Sequence, residues 1–180
     1  MEKMELRLAG SGGQGVILAS VILAEAAVLS GLEAAQSQSY GPEARGGSCK
    51  AEVIISDERI GFTKVLHPTF LMALTEKSLE AYGHNLPEKC VVLADDSLEI
   101  PPALKDRAVV RLPILRTAAE KVGKTFTANI VAVGVINGLL HLVDPDTLKE
   151  AVFMHIPKGT EALNGRALEE GMKLVEGVKA

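Results

Sequence analysis

The segment that most restricts the fold lies at the start. Met4–Leu8 is a short strand-like run. It ends in the turn Gly10-Ser11-Gly12-Gly13-Gln14-Gly15, and an apolar stretch begins at Val16. A strand, a glycine-rich turn and a helix in that order form a unit whose helix must pack back on a sheet. The helix is expected from about Gln14 to Ser30, with Gly31 as its stop. The remaining pattern keeps alternating. Glu33–Gln38 reads as a strand broken by Ser39-Tyr40-Gly41-Pro42, and Lys50–Ser56 as a β-branched strand. His67-Pro68 introduces a predicted helix to about Tyr82. Cys90–Ala94 and Ala108–Leu112 are short apolar strands of the buried parallel kind. Arg116–Val122, Asn129–Val143 and Glu161–Val178 read as helices. Asp144 caps a further helix, with Pro145 at its first position. The expected fold is therefore α/β: a three-layer Rossmann-like domain with a largely parallel sheet, spanning residues 1–180 as one unit.

Two of these helices, Val16–Leu29 and Ile130–Val143, are apolar nearly all round. Such a helix must be covered on more than one side. The two readings, that both are sandwiched inside the domain and that one also packs against another subunit, are compatible. The chain has only 3% aromatic residues and no Trp, so its core must be aliphatic and alanine-rich. A net charge of −4 offers no overall attraction to nucleic acid or to an anionic membrane. The longest apolar run is broken by Ser20 and Glu25, short of the roughly 20 residues a membrane span needs. The segment Met1–Glu5 lacks the features of a signal peptide. Two cysteines, Cys49 and Cys90, are too few for a four-thiolate iron–sulfur or zinc site. A cytoplasmic protein with reduced thiols is the expectation.

The turn Gly10, Gly12, Gly13, Gln14, Gly15 satisfies G-x-G-x-x-G between a strand and a helix. Glycines allow close backbone approach, and a helix N-terminus offers unpaired N–H groups to an anion. These five residues are the candidate anion- or nucleotide-binding set, and the competing reading is a turn that needs glycine only for packing. NAD binding is disfavoured, because the second strand ends Gln36-Ser37-Gln38-Ser39 without the ribose-binding carboxylate, and Glu33 sits too early. Gly123-Lys124-Thr125 has the tail of a phosphate-binding loop, but Ala118 stands where the upstream glycine is required.

The second loop, Ser39 to Ser48, carries Tyr40, Gly41, Pro42, Glu43, Arg45, Gly46 and Gly47. It follows a strand, so it should lie at the carboxyl edge of the sheet, where α/β proteins bind ligands. Arg45 could fork onto a phosphate, a carboxylate or a partner carbonyl. On residue types alone, a solvated loop with a surface Glu43/Arg45 pair is the favoured reading.

Together the two loops resemble the gamma subunit of the 2-oxoacid:ferredoxin oxidoreductases, which pairs a G-x-G-G-Q-G-type turn with S-Y-G-P-E-x-R-G-G after the second strand. The likeness continues through Ala51–Ser56, Asn129, Gly134, Asn164, Ala167 and Gly171, and so covers the chain. The resemblance implies a non-autonomous subunit of a thiamine diphosphate-dependent enzyme that decarboxylates a 2-oxoacid to acyl-coenzyme A and passes electrons to ferredoxin. Thiamine diphosphate, Mg and the iron–sulfur clusters would sit in alpha- and beta-type partners, with a delta-type ferredoxin-like subunit as an optional member. This chain alone would hold no cofactor and no catalytic residue. Its two loops would close the partners' site or lock the interface, with coenzyme A contact ranked second and an independent nucleotide site third. A homodimer of the isolated chain is compatible with this reading. The 2-oxoglutarate branch is slightly preferred over the pyruvate, ketoisovalerate and indolepyruvate branches. An autonomous nucleotide-binding protein and a purely structural interaction subunit are the rival classes.

Overall fold

The computed structural model describes residues 3–39 and 48–178. Six strands form one sheet: β1 (Met4–Ser11), β2 (Glu33–Gln38), β3 (Ser48–Ser56), β4 (Phe70–Ala73), β5 (Val91–Asp95) and β6 (Val109–Leu112). Their order across the sheet is β2-β3-β1-β4-β5-β6. β1, β4, β5 and β6 pair in parallel, and β3 pairs antiparallel with both β1 and β2. β2 therefore runs with β1, and only β3 is reversed. The sheet is largely parallel as expected, with one antiparallel strand inserted beside the glycine turn. Across that insertion Arg7 and Glu52 are register partners, and Arg7 Nε donates to Glu52 Oε1 at 2.8 Å.

The helices are α1 (Val16–Leu29), α2 (Glu76–Tyr82), the short α3 (Ile114–Arg116), α4 (Ala128–Leu140), α5 (Pro145–His155) and α6 (Glu161–Lys173). A π-helical segment, Thr117–Val122, continues α3 and ends at Gly123 with φ +85°. The layers are unequal. α1, α4, α5 and α6 share the larger core with one face of the sheet, filled by Leu6, Leu8, Val53, Phe70 and Met72. On the other face, α2 and a 3₁₀ turn at Pro102–Leu104 cover a smaller core around Leu71, Leu79, Val92 and Leu104.

α4 is the innermost helix: every residue from Ala128 to Asn137 is buried. It crosses α6 at near backbone contact. A Cβ on Gly134 would strike the Leu168 carbonyl, and one on Gly171 would strike the Val131 carbonyl. Asp144 caps α5 as predicted, accepting from Asp146 N at 2.9 Å, with Pro145 following.

Three expectations need correction. The predicted helix from His67 to Tyr82 is a strand followed by a shorter helix. Phe70-Leu71-Met72-Ala73 is wholly buried between β1 and β5, and pairing on both sides outweighs helix propensity. The helix begins only at the capping box of Thr75 and Ser78. α4 stops at Leu140 rather than Val143. His141 takes a left-handed φ of +48°, and the Asn137 amide pairs with both the N–H and the carbonyl of Val143 at 3.1 Å. α6 stops at Lys173 rather than Val178.

Candidate functional site at the glycine turn

β1 reaches the carboxyl edge of the sheet and runs through Gly10 to Ser11, held there by pairing with Cys49 and Ser48 of β3. Gly12 and Gly13 form the exposed tip, and Gly13 has φ +91° with no atom near the position of a Cβ. That left-handed geometry favours glycine. Gln14 turns inward rather than outward. Its Oε1 accepts from Ser11 N at 2.8 Å, and its Nε2 donates to Leu74 O at 3.5 Å. Its side chain fills the space that a Cβ on Gly10 would need, with Oε1 2.6 Å from that position. Gln14 thus braces the turn from beneath, a part the motif alone did not reveal.

Gly15 is the N-cap of α1, at φ +72°. A Cβ there would lie 2.5 Å from Asn129 Nδ2, so glycine is needed for packing as well as for conformation. Asn129 reaches across from the first turn of α4 and donates to Gly15 O at 3.5 Å. The residues therefore divide between the two readings of the turn. Gly10, Gln14 and Gly15 serve packing, whereas Gly12 and Gly13 present open backbone. Among the described residues no side chain caps α1, and no acidic residue stands in its first turn. Its first N–H groups and the positive end of its dipole are open to an anion.

Beside the turn lies a mainly apolar trough of about 580 Å³. Ser11, Gly12 and Gly13 form its head. Ile17, Leu18 and Val21 of α1 form one wall, and Ser39 and Cys49 lie opposite. Ser39 is the last described residue before the second loop, and Cys49 follows Ser48, the first described residue after it, so both described flanks of that loop reach the glycine-turn trough. Tyr40, Gly41, Pro42, Glu43, Arg45, Gly46 and Gly47 themselves lie outside the described residues. A second hollow of about 420 Å³ lies on the other side of Gly13, against Leu115, Thr125 and Phe126. Phe126 is 67% exposed there, an aromatic surface that the sequence reading passed over.

β3 separates β2 from β1. The end of the second strand is therefore two strands from the glycine turn, about 10 Å, rather than one. In a dinucleotide-binding fold the ribose carboxylate sits on the strand adjacent to β1. Its position is thus displaced here, in addition to lacking an acidic residue.

The two thiols do not converge. Cys49 belongs to the core beneath α1, and Cys90 to the core on the opposite face of the sheet. Burial pushes the Cys49 thiol up. Burial also pushes Cys90 up, against the opposing pull of Arg107 and Arg7. Both behave as small apolar residues held in the thiol form, and they cannot ligate one cluster. The described residues contain no group of three or more His, Cys, Asp or Glu placed to hold a metal ion. No helix among them is long and apolar enough to cross a membrane.

The chain is similar to known proteins over its whole length. The 2-oxoglutarate synthase subunit KorC of Methanocaldococcus jannaschii is 41% identical over 177 residues, covering 97% of this chain and 95% of that one. The crystal structure of a keto/oxoacid ferredoxin oxidoreductase gamma subunit from Geobacter sulfurreducens superposes over 100% of both chains, with a TM-score of 0.86 and 37% identity. The ketoisovalerate oxidoreductase subunit VorA of Methanothermobacter thermautotrophicus is 31% identical over 97% of this chain. That match spans only 35% of VorA, where the equivalent region is joined to further polypeptide. Residues 5–174 match the pyruvate ferredoxin/flavodoxin oxidoreductase model, from the first strand to the end of the last helix. With residues 5–174 matched and full-length likeness to gamma-type chains, this chain belongs to the pyruvate ferredoxin/flavodoxin oxidoreductase family.

Proposed function

We propose that the chain is the gamma-type subunit of a 2-oxoacid:ferredoxin oxidoreductase acting on 2-oxoglutarate, and that it completes the enzyme by closing against alpha- and beta-type subunits. The observation that carries this reading is full-length likeness to a 2-oxoglutarate synthase subunit, together with the place of Ser39 and Cys49, which flank the second loop, in the glycine-turn trough. Thiamine diphosphate, Mg and the iron–sulfur clusters belong to the partners in this reading. The chain's own donor set supports that division, because its two buried cysteines face opposite sides of the sheet. Its contribution is a surface. Gly12, Gly13 and the open N-terminus of α1 present N–H donors, and Ser39 and Cys49, which flank the Arg45 loop, line the trough beside them. Contact with the phosphates of coenzyme A is the next use of those donors, since a helix N-terminus favours an anion.

The test is reconstitution. The companion subunits, with and without this chain, are assayed for coenzyme A-dependent ferredoxin reduction with 2-oxoglutarate, pyruvate, 2-oxoisovalerate and indolepyruvate. The expected result is activity only with the chain present, fastest on 2-oxoglutarate. Full activity without it, or turnover by the isolated chain, would contradict the reading, and a faster rate on another oxoacid would reassign the branch. Arg45→Lys and Arg45→Ala then separate the roles of the loop. A raised KM for coenzyme A with intact assembly indicates substrate contact, and weakened association indicates an interface. Unchanged behaviour in both assays would leave Arg45 as a solvated side chain.

A further inference from the structure

α1 is apolar on the side that faces away from its own core. Ile17, Val21, Ala24 and Val28 recur at spacings of four, three and four, which is the seam one helix presents to another. Val28 is 55% exposed and Leu29 40% exposed, while Ile17, Val21 and Ala24 are only partly covered. α5, β3, β2 and α4 contact α1, and Ile17 and Ala24 also touch the larger core, yet every seam residue keeps part of its surface in solvent. We propose that this face of α1 is the docking surface for an amphipathic helix of a companion subunit in the same complex.

Three observations select that occupant. The heptad spacing suits a helix, and Ala24 leaves a gap mid-seam that a larger side chain can enter. Glu25 is the one charged residue in α1, 3.5 Å from His155 and a third exposed, so the complementary helix brings Lys or Arg to that end. Two copies of this chain paired in parallel along the seam would bring two Glu25 carboxylates together with no Lys or Arg on either helix, which disfavours that homodimer. Finally, the seam runs without a break into the trough walled by Ile17, Leu18 and Val21, so docking there would also wall the glycine turn. In VorA the equivalent region is part of a longer polypeptide.

The inference rests on the reading of the chain as a subunit, and the experiment separates the two. Val28→Cys places a thiol on the seam, while the native Cys49 and Cys90 are buried. Maleimide labelling is followed in the isolated chain and after reconstitution with the companion subunits. The expected result is rapid labelling alone and protection in the complex. In parallel, Val21→Asp should keep the wild-type circular dichroism spectrum as an isolated chain yet associate about tenfold or more weakly. Equal labelling in an assembled complex, or Val21→Asp assembly at wild-type affinity, overturns the docking surface and leaves the subunit reading intact. Concentration-dependent protection in the isolated chain makes a second copy the occupant and also overturns it. Failure of the wild-type chain to assemble at all overturns both.

Discussion

α1 and α4 are nearly indistinguishable as sequences. Each is built mainly of Val, Ile, Leu and Ala with two polar residues, and each is apolar around nearly its whole circumference. The structure treats them differently. α4 is enclosed by α6, α1 and the π-helical segment after α3, with Gly134 and Gly171 drawing α4 and α6 into backbone contact. α1 buries Ala19, Ile22, Leu23, Ala26 and Ala27, but leaves Val28 and Leu29 exposed and its seam partly open. Composition states how much apolar surface a helix has to hide. Only the neighbours decide whether the same chain hides it.

The contrast can be broken most forcefully at the α4–α6 crossing. Gly171→Val would force a branched side chain into the Val131 carbonyl. We expect a loss of about 3 kcal/mol or more in urea unfolding of the isolated chain. A loss below about 1 kcal/mol would mean the crossing is not close-packed.

Next comes a matched pair. Ile136 is fully buried in α4, and Ile136→Ala should cost about 2–5 kcal/mol in the isolated chain. Ile17→Ala, on the open side of α1, should cost under about 1.5 kcal/mol there, since that side chain already meets solvent. Equal losses would show that α1 is covered by its own chain after all, and the comparison would fail.

A smaller effect is expected where the two helices meet. Gly15→Ala must adopt a left-handed φ and displace the Asn129 amide. A cost of about 1–2 kcal/mol follows from the conformation alone. Asn129→Ala in the same background should then add little, because the two substitutions disrupt one contact. Full additivity would show that the contact does not hold α1 to α4. Smallest of all is Glu25→Gln. Its pair with His155 is a third exposed and 3.5 Å long, so urea unfolding should shift by no more than about 0.5 kcal/mol.

The alternating elements were legible because each carries a local signal: the apolar runs of β5 and β6, the Asp144-Pro145 start of α5, the glycines after β1. The β4–α2 region was misread because Phe70-Leu71-Met72-Ala73 is apolar without a period long enough to separate helix from strand. At the candidate site, the glycine turn and the second loop stood out as motifs, and the resemblance they carry agrees with the family that residues 5–174 match. The inward role of Gln14 and the contact of Asn129 with Gly15 did not stand out, since neither side chain has a neighbour in sequence that explains it.

What the amino-acid sequence determined by itself was therefore local and compositional: where strands and helices start, which turns need glycine, that two helices need cover, and which family's motifs are present. What the tertiary structure alone decided was adjacency. β3 inserts antiparallel between β1 and β2, which moves the end of the second strand away from the glycine turn. α4 receives cover that α1 does not. The physical reason is shared: strand pairing and helix cover join residues far apart in the chain, such as Gly15 with Asn129 or Gly10 with Cys49, and no local propensity records which distant partner arrives.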